Sequence, residues 1–286
     1  MGFCYAKHLN GRNPIVLPIN LIILKKNLFY PNINQSFILI LILCLVSIPA
    51  SIPIILVSLF PDFIKTNPEF ISIGVLLSYL ITFLWTIWIA KRKINKRGQN
   101  ILIKKEPIPL YFYFLLVIIT LCLGILIEPL SELIPMPEEF AKIFEDLIRP
   151  DIFSFLTVVI AAPILEEVLF RSIIFEGFLK NYSPWKSIIW SAIIFGTAHL
   201  NPWQMIGGIF IGILIAWIYF RTDSIIPGIV IHFTNNFIGF LLFTYSDGRS
   251  LSKFLTSISN SFMVYFTSIF LLISILYWIN KKLKTT

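Results

Sequence analysis

The sequence has few charged residues and few cysteines for its length. Charged side chains make up 13% of its 286 residues and hydrophobic ones 57%, a balance that excludes an ordinary soluble domain. Cys4, Cys44 and Cys122 are the three cysteines, and their spacing matches neither a disulfide framework nor a cysteine-ligated metal site. The composition therefore indicates a membrane protein that is not organised by disulfide bonds or by cysteine-bound metal.

Signals for secretion, lipidation and flexible linkers are also missing. The apolar segment Pro14–Leu24 is too short to span a bilayer and lacks the small-residue cleavage site of a signal peptide. The start MGFCYA has Ala6 at the position where N-myristoylation requires Ser or Thr. We expect residues 1–35 to form a cytoplasmic or interfacial segment.

Eight apolar stretches predict membrane-spanning helices, since about 20 apolar residues are needed to cross the hydrocarbon. Backbone groups cannot remain unpaired in lipid, so these stretches must be helical. We therefore predict an all-α fold, a polytopic membrane helix bundle with about eight transmembrane helices. The predicted spans are Ser36–Phe60, Phe70–Ala90, Leu110–Ile127, Ile152–Leu179, Trp185–His199, Trp203–Phe220, Ile225–Phe243 and Ser261–Ile279.

The formal net charge of +8 follows the membrane topology and does not indicate nucleic-acid binding. Most of the 23 Lys and Arg residues fall in alternate loops, chiefly before the first span, between the second and third spans, and after the last. Because basic residues concentrate in cytoplasmic loops, both termini are predicted to be cytoplasmic, and an even number of spans agrees. The lipid bilayer is thus the first predicted partner.

Polar residues divide the chain at about Arg149. The spans within 36–150 carry almost no polar groups and are interpreted as scaffold, whereas the four spans within 151–243 hold every candidate site residue and form the predicted four-helix catalytic core. Residues 244–286 contain the last span and a basic tail. Before the core, the amphipathic EEFAKIFEDLI at 138–148 is interpreted as an interfacial helix on the outer face, with a plain loop as the alternative.

Glu166, Glu167 and Arg171 lie in the otherwise apolar AAPILEEVLFR. Burying one charge at mid-bilayer costs about 2.5–3.5 kcal/mol, so their presence indicates a function. Glu167 and Arg171 have the spacing of an ion pair and form either a buried structural network or part of the site. Glu166 points about 100° away from Glu167 and, among apolar neighbours, is a candidate general base. Pro163 has no N–H, which leaves the Val159 carbonyl unpaired in an α-helix.

Two histidines and an asparagine complete the polar set in the same half of the chain. His199 follows Phe195 by one helical turn, at the end of the fifth span. His232 and Asn236 are also four residues apart and therefore share one face of the seventh span. A lone membrane histidine often serves as a helix–helix hydrogen bond, but here two of the three histidines in the chain accompany the glutamates. We therefore predict that these residues are functional.

These residues support two kinds of chemistry. Glu166, His199 and His232 are a standard ligand set for catalytic zinc. Alternatively, Glu166 with His199 activates water directly, while His232 and Asn236 donate hydrogen bonds to the oxyanion of the attacked carbonyl. Asparagine is an unusual zinc ligand but a good oxyanion donor, so Asn236 favours the metal-free scheme. The HExxH, GxSG and GxGD motifs of other intramembrane proteases are absent from the sequence.

The three motifs Glu166–Arg171, Phe195–His199 and His232–Asn236, in this order on successive spans, resemble those of the CPBP (Abi) family. That family groups type II CAAX prenyl endopeptidases with bacterial bacteriocin-processing and self-immunity proteins. The stretch GGIFIGILIAWIYFRTDSIIPGIVIHFTNN between the second and third motifs also resembles family sequence. The resemblance covers about Ile152–Phe243, and it departs from the family at Ser172, where many members have glycine.

The resemblance implies an intramembrane endopeptidase in which Glu166 and His199 activate water and His232 and Asn236 stabilise the oxyanion, with the Glu167–Arg171 pair in support. The substrate is expected to be a membrane-embedded or membrane-associated peptide or protein. The composition is rich in Ile, Lys, Asn and Phe, which indicates an AT-rich bacterial genome. The predicted location is therefore the bacterial cell membrane. The alternative is a non-enzymatic bacterial membrane protein, either an immunity factor or a proton-coupled transporter, because buried Glu and His also form proton relays.

Overall fold

The structure, a computed structural model, describes residues 29–100, 103–131, 133–245 and 251–283. The predicted N-terminal segment lies almost entirely outside these ranges. Within them the chain forms helices and no strand, as the predicted all-α class requires. The helices are α1 (Ile33–Ala50), α2 (Ile52–Ser58), α3 (Pro61–Thr66), α4 (Glu69–Asn95), α5 (Leu110–Ser131), α6 (Glu138–Leu147), α7 (Ile152–Asn181), α8 (Pro184–Thr197), α9 (Pro202–Thr222), α10 (Ile226–Tyr245), α11 (Leu251–Ile258) and α12 (Ser261–Lys282).

Seven of the predicted spans are confirmed, in the described part of the chain, as helices long and apolar enough to cross a membrane. The first combines α1 and α2, which meet at Ser51 beside Pro49 and Pro53. The remaining prediction, the fifth span Trp185–His199, is wrong by length: α8 has 14 residues, about 21 Å at 1.5 Å per residue, against a hydrocarbon thickness of about 30 Å. Because seven helices qualify as spans in the described part of the chain, the argument from an even number of spans no longer supports a cytoplasmic location of both termini.

The outer faces of the long helices are apolar, as lipid contact requires. Leu41 on α1, Phe114 on α5 and Phe270 on α12 are all more than half exposed. In water such faces would form a continuous apolar surface far larger than soluble proteins expose. The exposed side chains therefore agree with a helix bundle surrounded by lipid.

Helices α8 and α9 form a close antiparallel pair at the centre of the bundle. A Cβ atom on Gly208 would lie 3.1 Å from the Cα of Gly196, and one on Gly212 would lie 3.1 Å from the Cα of Ala192. The lack of side chains at these glycines lets the two backbones approach closely, as is typical of a GxxxG motif. On one side, α1 and α4 pack against α7 and α8, and on the other side α5 and α12 pack against α9 and α10.

The amphipathic segment after the third long helix is helical, as predicted, and forms α6. The Phe140 ring contacts the Trp203 ring at 5.3 Å between centroids, and Trp203 Nε1 donates a hydrogen bond to the Ile134 carbonyl at 3.0 Å. These contacts hold α6 beside the first turn of α9. The second short amphipathic helix, α11, was not predicted from the sequence.

The opposite end of the bundle is fixed by an ionic cluster. Lys104 Nζ lies 2.8 Å from Glu176 Oε1 on α7 and 2.7 Å from Asp223 Oδ1 at the end of α9. Burial lowers the pKa of the Lys104 ammonium, but its hydrogen bonds to Asp223 and Glu176 outweigh burial and raise the pKa above its ordinary value. The Ile225 N–H also donates to the Lys104 carbonyl at 3.0 Å. The loop before α5 therefore fixes the start of α10 relative to α7.

Candidate active site

The turn between α7 and α8 places two of the three motifs at one level. Helix α7 ends at Asn181 and α8 begins at Pro184, so residues equally far from this turn face each other on the antiparallel helices. Phe170 and Phe195 are such a pair, and their rings are in edge contact at 5.0 Å. Glu166 and His199 are also equally far from the turn and therefore lie at one level of the bundle.

Glu167 and Arg171 form the predicted ion pair, with 3.2 Å between Glu167 Oε2 and Arg171 Nε, and both side chains are fully buried. The Arg171 Nε–H and Glu167 Oε2 are not aligned for a hydrogen bond. The three guanidinium nitrogens of Arg171 have no hydrogen-bond partner among the described residues. The guanidinium instead lies over the Phe195 ring, with 4.8 Å between Cζ and the ring centroid. Charge attraction and the aromatic face therefore stabilise this cation in the core.

His232 lies between the two glutamates. Its Nδ1 is 3.1 Å from Glu167 Oε1, and its Nε2 is 3.8 Å from Glu166 Oε2. A carboxylate can only accept, so the Nδ1 position carries the proton and Nε2 is directed at Glu166. Gly228 permits this arrangement, because a Cβ there would lie 3.0 Å from Glu167 Oε2 and 2.8 Å from Ile215 Cγ2.

Glu166 is less buried than Glu167 and has a second partner outside the predicted core. Its side chain is 12% exposed, and its Oε1 accepts a hydrogen bond of 2.6 Å from the Tyr79 hydroxyl on α4. Tyr79 was not predicted as a site residue. The sequence offers no signal for it, since a tyrosine in an apolar span is ordinary.

His199 is held at the end of α8 by local contacts. Its Nδ1 is 3.1 Å from the Phe195 carbonyl, and a carbonyl can only accept, so Nδ1 carries the proton. Leu200 has a left-handed φ of 57°, and Asn201 donates to the His199 carbonyl at 2.9 Å while capping α9. This tight turn ends α8 within the motif, at Thr197, and explains why the helix is short.

Phe195 connects the two imidazoles. Its ring meets that of His199 at 5.4 Å and that of His232 at 5.5 Å, in edge contacts. His199 and Glu166 form no hydrogen bond or ion pair with each other in the described ranges. The histidine that faces Glu166 directly is therefore His232, and not His199 as the sequence-based scheme assumed.

Asn236 is bound to the backbone of α7. Its Nδ2 donates to the Val158 carbonyl at 2.9 Å, within a π-helical segment, Leu156–Ala161, where the Ala162 N–H bonds to the carbonyl five residues earlier. In that register the donor for Val158 would be the N–H of residue 163, which is proline. The Val158 carbonyl therefore lacks a backbone donor in the π-helical register, and Asn236 satisfies it, whereas an α-helical register would free the Val159 carbonyl.

The site residues meet only one requirement of a metal centre. Both histidines have Nδ1 anchored on an acceptor, as metal-ligating histidines require. However, no group of three or more His, Cys, Asp or Glu side chains in the described parts of the chain is placed to hold a metal, because His199 is linked to the Glu166–His232 pair only through the Phe195 ring. The zinc assignment to Glu166, His199 and His232 stays a prediction.

Residues 148–238 match the family model described as type II CAAX prenyl endopeptidase Rce1-like. This segment is therefore similar to Rce1-like proteins. It covers about one third of the chain and contains all three motifs, which confirms the resemblance seen in the sequence. No significant match was found among curated proteins or among solved structures. The Rce1-like match supports a CAAX-type intramembrane protease in general, and the apolar helices make the chain a multi-pass membrane protein.

Proposed function

We propose that this protein is an intramembrane endopeptidase that hydrolyses a peptide bond of a membrane-associated peptide or protein with water activated by Glu166. The observation that carries the proposal is the 3.8 Å separation of Glu166 Oε2 and His232 Nε2. This distance is too long for a direct hydrogen bond and short enough for one water molecule to contact both atoms. A buried carboxylate and imidazole facing each other in this way suit proton abstraction from water.

The proposed reaction begins when the water oxygen attacks the carbonyl carbon of the substrate and its proton passes to the Glu166 carboxylate. Glu167 accepts from His232 Nδ1 and so holds the imidazole with Nε2 toward the water. The second N–H of the Asn236 amide is the proposed donor to the oxyanion, and His199 is proposed to assist it. When the tetrahedral intermediate collapses, the C–N bond breaks and Glu166 returns its proton to the leaving amine.

These roles differ from those implied by the family resemblance in one respect. The resemblance pairs Glu166 with His199 for water activation and places His232 at the oxyanion. The hydrogen bond from His232 to Glu167, together with the contact between Glu166 and His232, supports the exchange of the two histidines. The assignment of Glu166 as the general base is unchanged.

Product formation tests the proposal against the non-enzymatic alternative. His232→Ala is expected to abolish both cleavage and the cellular phenotype, because it removes the group that orients water. Peptides from cells carrying wild-type or variant protein at equal abundance in the membrane would be compared by mass spectrometry. Thr244→Ala is the control, because Thr244 lies on the same helix and its hydroxyl donates to the Phe240 and Leu241 carbonyls of that helix. A phenotype that survives His232→Ala would favour an immunity factor or transporter.

The proposal also predicts cleavage without a tightly bound metal. Protein purified in detergent is expected to contain less than one equivalent of zinc by elemental mass spectrometry and to retain activity after chelation. One zinc per chain, with activity lost on removal and restored by zinc alone, would contradict the metal-free mechanism. That outcome would make Glu166, His199 and His232 the ligands.

A further inference from the structure

We infer that Tyr79 is a positioning residue of the active site, and that helix α4, outside the Rce1-like segment, is part of the catalytic unit. The inference rests on the proposed function, since it concerns the carboxylate assigned there as the base. Its basis is the 2.6 Å hydrogen bond from the Tyr79 hydroxyl to Glu166 Oε1. At this length a phenol bonded to a carboxylate forms one of the stronger hydrogen bonds found in proteins.

The bond decides which oxygen of Glu166 is available. Oε1 accepts from Tyr79, so Oε2 is the oxygen that faces His232. A glutamate side chain has three rotatable bonds, and without a partner on Oε1 the carboxylate would sample orientations that point neither oxygen at the water. Fixing it beforehand lowers the cost of reaching the reactive geometry.

The tyrosine ring is itself held in place. It stacks on Phe83, one turn further along α4, with 4.6 Å between centroids and an angle of 27°. Helix α4 is fixed to α7 at a second point, where Ser72 donates to Asp151 Oδ2 at 2.5 Å. Asp151 also caps α7 through its other oxygen, which accepts from Phe153 and Ser154 N–H. The position of Tyr79 relative to Glu166 is therefore set by the stacking on Phe83 and by the Ser72–Asp151 hydrogen bond, which lie on either side of Tyr79 along α4.

The chain contains a matched pair that separates positioning from stability. Tyr219 donates to Glu176 Oε1 at 3.0 Å, and Glu176 lies on α7 like Glu166, with its side chain 14% exposed. Tyr79→Phe and Tyr219→Phe each remove one hydroxyl from a largely buried tyrosine–glutamate contact on the same helix. Only the first change touches the proposed base.

The test measures kcat and KM for the wild type, Tyr79→Phe, Glu166→Asp and the variant with both changes. Tyr219→Phe is measured as the control. Tyr79→Phe is expected to lower kcat about 10- to 100-fold with KM unchanged, the range that follows from losing one hydrogen bond to a charged group. Tyr219→Phe is expected to keep wild-type kcat. In the Glu166→Asp background the shorter side chain no longer reaches the phenol, so Tyr79→Phe should have no further effect.

The outcomes are distinguishable. A Tyr79→Phe variant with wild-type kcat, alongside an inactive Glu166→Gln variant, would overturn the positioning role and leave the proposed function intact. Equal losses in Tyr79→Phe and Tyr219→Phe that follow the amount of folded protein would also overturn it, because both would then be structural. Full activity in Glu166→Gln would instead refute the proposed function.

Discussion

Glu166→Gln is expected to lower the rate of cleavage by about 10²–10⁴-fold, the usual contribution of a general base. The amide keeps the size of the side chain and its oxygen still accepts from Tyr79, but it cannot take a proton from water. The loss should therefore appear in kcat, with substrate binding and protein abundance unchanged. Turnover of a substrate found by peptide comparison, in purified protein, measures it.

Glu176→Gln is the control for this prediction. Both glutamates lie on α7, both are largely buried, and each accepts a hydrogen bond from a tyrosine. Glu176 also pairs with Lys104, far from the motifs, so its replacement is expected to reduce stability modestly and to leave kcat in place. Equal activity of the two variants would remove Glu166 from the mechanism.

Arg171→Met is expected to destabilise the folded protein by about 3–5 kcal/mol, because removing one partner of a buried ion pair leaves the other as an uncompensated charge. Glu167 would be that charge, since it is fully buried beside Arg171 and, among the described residues, otherwise bonded only to His232. Methionine fills much of the volume of arginine, so little of the loss should come from a cavity. Thermal unfolding of purified protein in detergent measures the change.

Two comparisons establish the cause. Arg92 also lies over an aromatic ring, 4.2 Å from the Trp88 centroid, but it is exposed, so Arg92→Met should change stability by no more than about 0.5 kcal/mol. Glu167→Gln combined with Arg171→Met should recover part of the stability lost in Arg171→Met while remaining inactive. If the double variant is less stable than Arg171→Met, uncompensated charge is not the reason.

The sequence predicted the features that depend on composition and on local spacing. Long apolar stretches cannot leave backbone groups unpaired in lipid, so seven spans were found close to their bounds. The ion pair of Glu167 and Arg171 follows from a spacing of four residues on one helix.

Features that depend on contacts between distant helices were not predicted. Tyr79 reaches Glu166 from a helix that carries no motif, and no local pattern marks a tyrosine as a hydrogen-bond donor to a residue far along the chain. The length of α8 depends on a left-handed Leu200, where glycine or asparagine would have been the expected signal. The register of α7 was also misjudged, because Pro163 is compatible with both α- and π-helical pairing and only the partner Asn236 distinguishes them.

The bond between Asn236 and Val158 has a mechanical consequence. Pro163 supplies no N–H, so in the π-helical register α7 cannot satisfy the Val158 carbonyl by itself. Separating α10 from α7 would leave that carbonyl unpaired within lipid or protein, at a cost of about 1–3 kcal/mol, before any loss of the Glu167–His232 contact. The two helices should therefore resist separation, and we expect any opening of the bundle to begin between other helices.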